Sequence, residues 1–185
     1  MTPAPARIAP GGRAEVGALN YAVAWVSGRL TGTTPPNLFL TLGRHRTLFR
    51  GWVRFAGRLM PGGTLPRRET ELVILRVAQL TGCRYELEHH QRLGRRAGLT
   101  EADMARAAEG ATGTGWSARE RVLLAAVDEL HERRDLSDAV WSSVREHLDE
   151  RAAIELVLLV THYEMLATTI DVLRIQPDRP RGRRR

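Results

Sequence analysis

Four side chains in this 185-residue sequence have the types and spacing for proton or thiol chemistry: Glu71, Cys83, Glu86 and His90. At about 100° per helical residue, Glu71 falls at the centre of the arc formed by Ile74, Leu75 and Ala78, where a helix buries apolar surface. A carboxylate left charged and unpaired in a core is costly. Either its pKa rises, which suits general acid–base work, or another helix supplies a donor.

Thr81-Gly82 then ends this helix, with Gly82 as a left-handed cap, and Cys83 falls at the start of the next. The positive helix end, with Arg84 beside it, favours thiolate there, while burial opposes it. Cys83, Glu86 and His90 fall within about 60° of one another, on the stripe that also carries Leu93 and Ala97. Glu86 and His90 are i, i+4 neighbours, so the carboxylate can accept from one ring nitrogen and leave the other as acid, base or ligand. His89 projects away and reads as solvent-facing.

The bland reading is a Glu–His hydrogen bond between two helices beside a bystander cysteine. The addition of Glu71 favours a small pocket, because four polar groups then converge on one apolar layer. A metal reading would add His162 to Glu86 and His90, but the spacing is not diagnostic, so no metal and no cofactor are expected. Tyr85, Tyr163 and Trp116 read as packing residues.

The elements that must position these groups are helices. All nine prolines lie at or before Pro66 or at or after Pro177, which leaves the long middle of the chain free of the strongest helix breaker. The spacing predicts helices over 15–30, 37–44, 46–60, 67–80, 83–97, 101–109, 118–132, 138–147 and 150–174. Start signals are Thr100 before Glu101 and Asp103, Ser117 with Glu120 as a capping box, and Ser137. Residues 110–115 read as a loop, 1–14 as a flexible arm, 15–176 as a single all-helical domain and 177–185 as a disordered arginine-rich tail. ELVIL at 71–75 is echoed by ELVLL at 155–159, which hints at two related helical halves.

Composition bounds the rest. Cys83 is the only cysteine, so intrachain disulfides and cysteine-based metal clusters are excluded. All 28 basic residues are arginine, which excludes a lysine Schiff base. Of the net charge of +7, +4 lies in PDRPRGRRR at 177–185, and no groove-reading motif accompanies it, so nucleic-acid binding is not expected. No apolar run approaches the roughly 18 residues of a membrane span, and the start lacks a signal-peptide core. The sequence is therefore read as cytoplasmic.

The segments NLFLTLGRH, LPRRETELVILRVAQLTGCRYELEHHQRLGRRAGLT, WSARERVLLAAVDELH and THYEMLATTIDVLRI resemble the carboxymuconolactone decarboxylase-like family, which includes the alkylhydroperoxidase D group. In the peroxidase branch the motif is Glu, then Cys-Xaa-Xaa-Cys, then His. The matching positions here are Glu71, Cys83, Glu86 and His90, so the second cysteine is replaced by Glu86 and the dithiol–disulfide cycle cannot run. The resemblance implies an all-α, alkylhydroperoxidase D-like bundle of two pseudo-repeated helical halves, assembled as a trimer or hexamer. It also implies a cofactor-free proton-transfer activity on a lactone acid, a substrate that the departing length and motif do not carry over.

The leading expectation is a cofactor-independent enzyme on a small organic substrate, with His90 as general acid or base, Glu86 orienting it and Glu71 as second proton carrier. Arginines near the pocket would hold an anionic substrate. The runner-up is a thiol peroxidase or redox sensor in which Cys83 becomes a sulfenic acid. The third is a non-catalytic ligand-binding helical oligomer with the arginine tail as an electrostatic tether.

Overall fold

The computed structural model describes residues 4–181. In chain order its helices are α1 (Arg13–Val16), α2 (Ala18–Thr31), α3 (Asn37–Leu42), α4 (Arg46–Leu59), α5 (Arg67–Leu80), α6 (Arg84–Arg96), α7 (Glu101–Arg106), α8 (Ala118–Arg133), α9 (Asp138–His147) and α10 (Glu150–Leu173). A 3-10 segment, Ala107–Thr112, follows α7. Among the described residues there is no β-strand, only an isolated bridge between Thr33 and Pro180. The fold is all-α.

Start signals work as their chemistry dictates. Thr100 accepts from the Asp103 amide while the Asp103 carboxylate returns to the Thr100 amide, and Ser117 and Glu120 form the same reciprocal box. Ser137 caps α9 through the Val140 amide. The helix expected over 15–30 is instead two, because Gly17 takes φ +83° between α1 and α2. The loop expected over 110–115 begins as the 3-10 segment, pinned where Trp116 Nε1 donates to the Gly110 carbonyl at 3.1 Å.

The chain divides into two compact units, residues 57–168 and residues 1–56 with 169–185. In the latter, Arg7 N donates to Leu173 O at 3.0 Å and Gly11 N to Leu40 O at 3.1 Å, so the described part of the N-terminal arm is tied down. The tail expected to be disordered from 177 also starts ordered: Asp178 Oδ1 accepts from Asn37 N at 2.7 Å, and Arg181 N donates to Gly32 O at 3.0 Å. Residues 182–185 of that tail, like residues 1–3 of the arm, lie outside the described residues.

The unit spanning 57–168 holds all four candidate residues. Its core packs Leu72 and Leu75 of α5 against Leu99, Met104, Ala107, Trp116 and Leu124, all buried. Burial of each large apolar side chain contributes about 1.5–3 kcal/mol, and this packing holds α5 in place. By length and composition α10 could cross a membrane, yet it carries Glu155, His162 and Glu164, each buried.

Candidate active site

Pro66 stands at the N-cap of α5 with extended backbone (ψ 140°), as suits a residue that cannot donate to a preceding turn. Arg67 opens the helix, and Glu71 lies one turn later on the side that also buries Leu72, Ile74, Leu75 and Ala78. Glu71 is 0% exposed, where its place in the apolar arc puts it. At the far end Thr81 Oγ1 donates to the Val77 carbonyl at 2.8 Å, and Gly82, at φ +67°, reverses the chain. Cys83 is then the N-cap of α6, buried, with its amide donating to Ala78 O at 2.9 Å. This hairpin lays α6 against α5.

Glu86 sits in the first turn of α6, where the positive helix end favours a carboxylate. One turn on, His90 is 2% exposed. Its Nδ1 lies 2.7 Å from Glu71 Oε2 and its Nε2 lies 3.2 Å from Glu86 Oε2. The expectation that one ring nitrogen would stay free is corrected: α6 supplies one carboxylate from its own preceding turn and α5 supplies the other. The donor that Glu71 needs from another helix is His90. A second cation comes from α5 itself, since Arg67 Nη2 lies 2.7 Å from Glu71 Oε1, an ion pair without the alignment of a hydrogen bond.

Electrostatics follow from this row. Burial works to lower the His90 pKa, but the charge and hydrogen bond of Glu71, then the hydrogen bond and charge of Glu86, outweigh it and raise it to about 9. His90 is thus an imidazolium at neutral pH, donating on both sides. The neighbouring His89 behaves in the opposite way. Expected to face solvent, it is instead half-buried, and burial, followed by the charges of His90 and Arg92, lowers its pKa to about 3. Its ring lies parallel to that of Tyr85, with centroids 6.4 Å apart.

Two further residues of α10 steady the cluster: Tyr163, read from the sequence as a packing residue, and Glu155, to which sequence reasoning assigned no role. Tyr163 of α10 packs edge-on against His90, with ring centroids 5.0 Å apart and planes at 89°, and its hydroxyl donates to Met60 Sδ at 3.8 Å. Burial, then the charges of Glu86 and Glu71, push the Tyr163 pKa well up, so it stays a neutral phenol. Two turns earlier, Glu155 accepts from Thr64 N at 2.5 Å, Thr64 Oγ1 at 2.6 Å and Leu65 N at 3.1 Å, fixing the turn that delivers Pro66 and Arg67. Gly63 has no room for a side chain there, because a Cβ would meet the Glu155 carboxylate and the Leu59 carbonyl. The echo of ELVIL in ELVLL therefore places two glutamates in different work: Glu71 in the ionic row, Glu155 on a loop.

Arg67 had a sequence signal, the i, i+4 spacing to Glu71. Tyr163 had none, since its approach depends on how α10 crosses α6. His162 is buried on α10, with its pKa lowered by burial against the opposing charge of Glu86. Among the described residues, no group of three histidine, cysteine or carboxylate side chains is arranged to hold a metal ion.

Residues 46–129 match the family model described as the carboxymuconolactone decarboxylase family. A search of curated proteins finds no match. Among solved structures, the chain is similar to an uncharacterized peroxidase-related protein from Silicibacter sp. TM1040 (TM-score 0.80, 16% identity, covering 92% of this chain and 91% of that one). It is also similar to a peroxidase-related protein with an alkylhydroperoxidase AhpD core from Ralstonia eutropha JMP134 (TM-score 0.78, 18% identity, 92% of each chain). A third is the debrominase Bmp8 in its apo form (TM-score 0.77, 19% identity, 92% of this chain and 91% of that one), which is also known as a cysteine-to-alanine variant in complex with 2,3,4-tribromopyrrole. At these identities the likeness is one of fold. The carboxymuconolactone decarboxylase family model thus covers residues 46–129, the four site residues among them, within an all-helical chain whose fold is that of the alkylhydroperoxidase D-like proteins.

Proposed function

We propose that this protein is a cofactor-independent enzyme that moves a proton on a small organic molecule through the row Glu71–His90–Glu86. The observation that carries the reading is a buried histidine ring bridged at 2.7 and 3.2 Å by two buried carboxyl groups. Such a row is a poor device for stability alone. Filling the same layer with apolar side chains is often neutral, or stabilising by roughly 1–4 kcal/mol. Its value lies in chemistry: a carboxylate base at one end and a stored proton in the middle.

In the resting charge state Glu71 is the base and His90 the acid reserve, with Glu86 as its outlet. Glu71 takes a proton from the substrate, and His90 delivers one through Glu86 to a second substrate atom. Glu71 then returns its proton to His90. Proton count and charge balance over the cycle, and no oxidant or reductant takes part.

The test is deuterium incorporation from D2O into a panel of small carbonyl compounds, followed by NMR. The wild-type protein is expected to exceed the buffer rate on at least one, and His90→Asn to lose at least about 10²-fold of that rate. Wild-type rates in His90→Asn would refute the reading.

A second reading is thiol chemistry at Cys83, favoured by its N-cap position three residues before Glu86 and by the complex of a cysteine-to-alanine variant of the similarly folded debrominase with 2,3,4-tribromopyrrole. The Cys83 thiolate would attack the O–O bond of a hydroperoxide, forming a sulfenic acid and releasing an alcohol, with two equivalents of an external thiol restoring it as disulfide and water. Peroxide consumption unchanged in Cys83→Ser would remove this reading.

A further inference from the structure

The ionic row leaves two buried polar atoms unsatisfied side by side. Arg67 Nη1 is shielded from solvent and has no hydrogen-bond partner, although Nη2 of the same guanidinium is engaged with Glu71. Glu71 Oε1 is likewise buried without a hydrogen bond, since its 2.7 Å approach to Arg67 Nη2 is not aligned as one. Buried donors and acceptors in folded proteins almost always find partners. A donor and an acceptor orphaned together, on groups already paired by charge, mark a place for one atom that accepts from the first and donates to the second.

We infer that Arg67 Nη1 and Glu71 Oε1 form a substrate subsite for the neutral O–H group of an enol or a phenol. A hydroxyl meets both demands, with its lone pair toward Arg67 and its hydrogen toward Glu71. A carboxylate meets only one, and its second oxygen would face the Glu71 anion. The charge balance points the same way: Arg67 and His90 already neutralise Glu71 and Glu86, so an anionic substrate would leave the buried row one negative charge in excess. The expectation that arginine here holds an anion is thereby replaced by one in which arginine holds an oxyanion only after it forms.

The inference deepens, and rests on, the proton-transfer reading above. In the step it specifies, the substrate O–H bond breaks, its proton forms an O–H bond at Glu71 Oε1, and the electron pair stays on the substrate oxygen facing Arg67. Enols and phenols are acidic enough for this; alkyl hydroxyls are not. Entry is through Arg67, whose side chain is 38% exposed while those of Glu71, Glu86 and His90 are 5% exposed or less.

The test uses three probes of one shape, phenol, anisole and benzoate. Binding to the full-length protein is followed through the ring signals of 15N-labelled His90. Phenol is expected to shift those signals and to bind at least about tenfold more tightly than anisole and benzoate. Arg67→Met, checked for folding by its thermal melt, should abolish that preference, and Arg67→Lys should restore part of it. Tighter binding of benzoate, equal binding of anisole, or no response to any probe would overturn the subsite. Loss of deuterium incorporation in His90→Asn would still stand in that event, so the subsite can fail without the relay. Retention of incorporation in His90→Asn alongside a phenol preference would mark the opposite case.

Discussion

Glu71 and His90, 19 residues apart in sequence, meet at 2.7 Å across the α5–α6 hairpin with both side chains buried. Glu71 thereby stands between two cations, His90 and Arg67. Replacing it with glutamine leaves both facing a neutral amide. Glu71→Gln is expected to lower unfolding free energy by roughly 3–5 kcal/mol in urea titrations, the cost of breaking a buried pair. Glu86→Gln, at the longer 3.2 Å contact, should cost less.

The two adjacent histidines give stability opposite pH limbs. For His90, the folded pKa of about 9 lies above the ordinary 6.5. Its contribution, on the order of 3 kcal/mol, is full below pH 6.5 and lost as pH rises through 9. For His89, the folded pKa of about 3 lies below 6.5, so its neutral form is favoured by folding, and stability is lost as pH falls from 6.5 toward 3. Melting temperature should therefore peak near neutrality. His89→Asn should flatten the acid limb and leave the alkaline one; an unchanged acid limb would contradict the assignment.

Tyr163 separates ring from hydroxyl. The hydroxyl points to Met60 rather than to the ionic row, so Tyr163→Phe should alter stability by less than about 1 kcal/mol and leave the His90 titration in place. Tyr163→Ala removes the edge-on ring from His90 and should cost about 3–5 kcal/mol. Thermal melts and His90 NMR titrations distinguish the two variants.

Glu155 is predicted to act through the chain it fastens. Glu155→Gln weakens charge-assisted bonds to Thr64 and Leu65 and should cost about 1–3 kcal/mol, with faster amide exchange at Leu65. Unchanged exchange there would detach Glu155 from the placement of Arg67.

The helices were legible because their stop and start chemistry is local. Pro66, Gly82, Thr100, Ser117 and Ser137 act within a few residues of themselves, and α5 and α9 take the bounds their patterns predict. Glu71 was legible too, as a carboxylate in an apolar arc. What the sequence could not convey is tertiary. Whether Glu71 or solvent reaches the second nitrogen of His90 depends on how α6 lies on α5, and the Tyr163 ring arrives from a helix more than 70 residues downstream. His89 was misread because helical angle sets direction but not depth. The docking of Asp178 beside Asn37 was hidden by an arginine-rich composition that reads as disorder.

The protonation of His90 is the most direct test of the relay. In 15N-edited NMR of the full-length protein, both ring nitrogens should carry protons at pH 7.5, and the ring should titrate near 9, as two flanking carboxylates require. A ring that loses its proton near the ordinary 6.5, with one nitrogen bare at pH 7.5, would contradict the account.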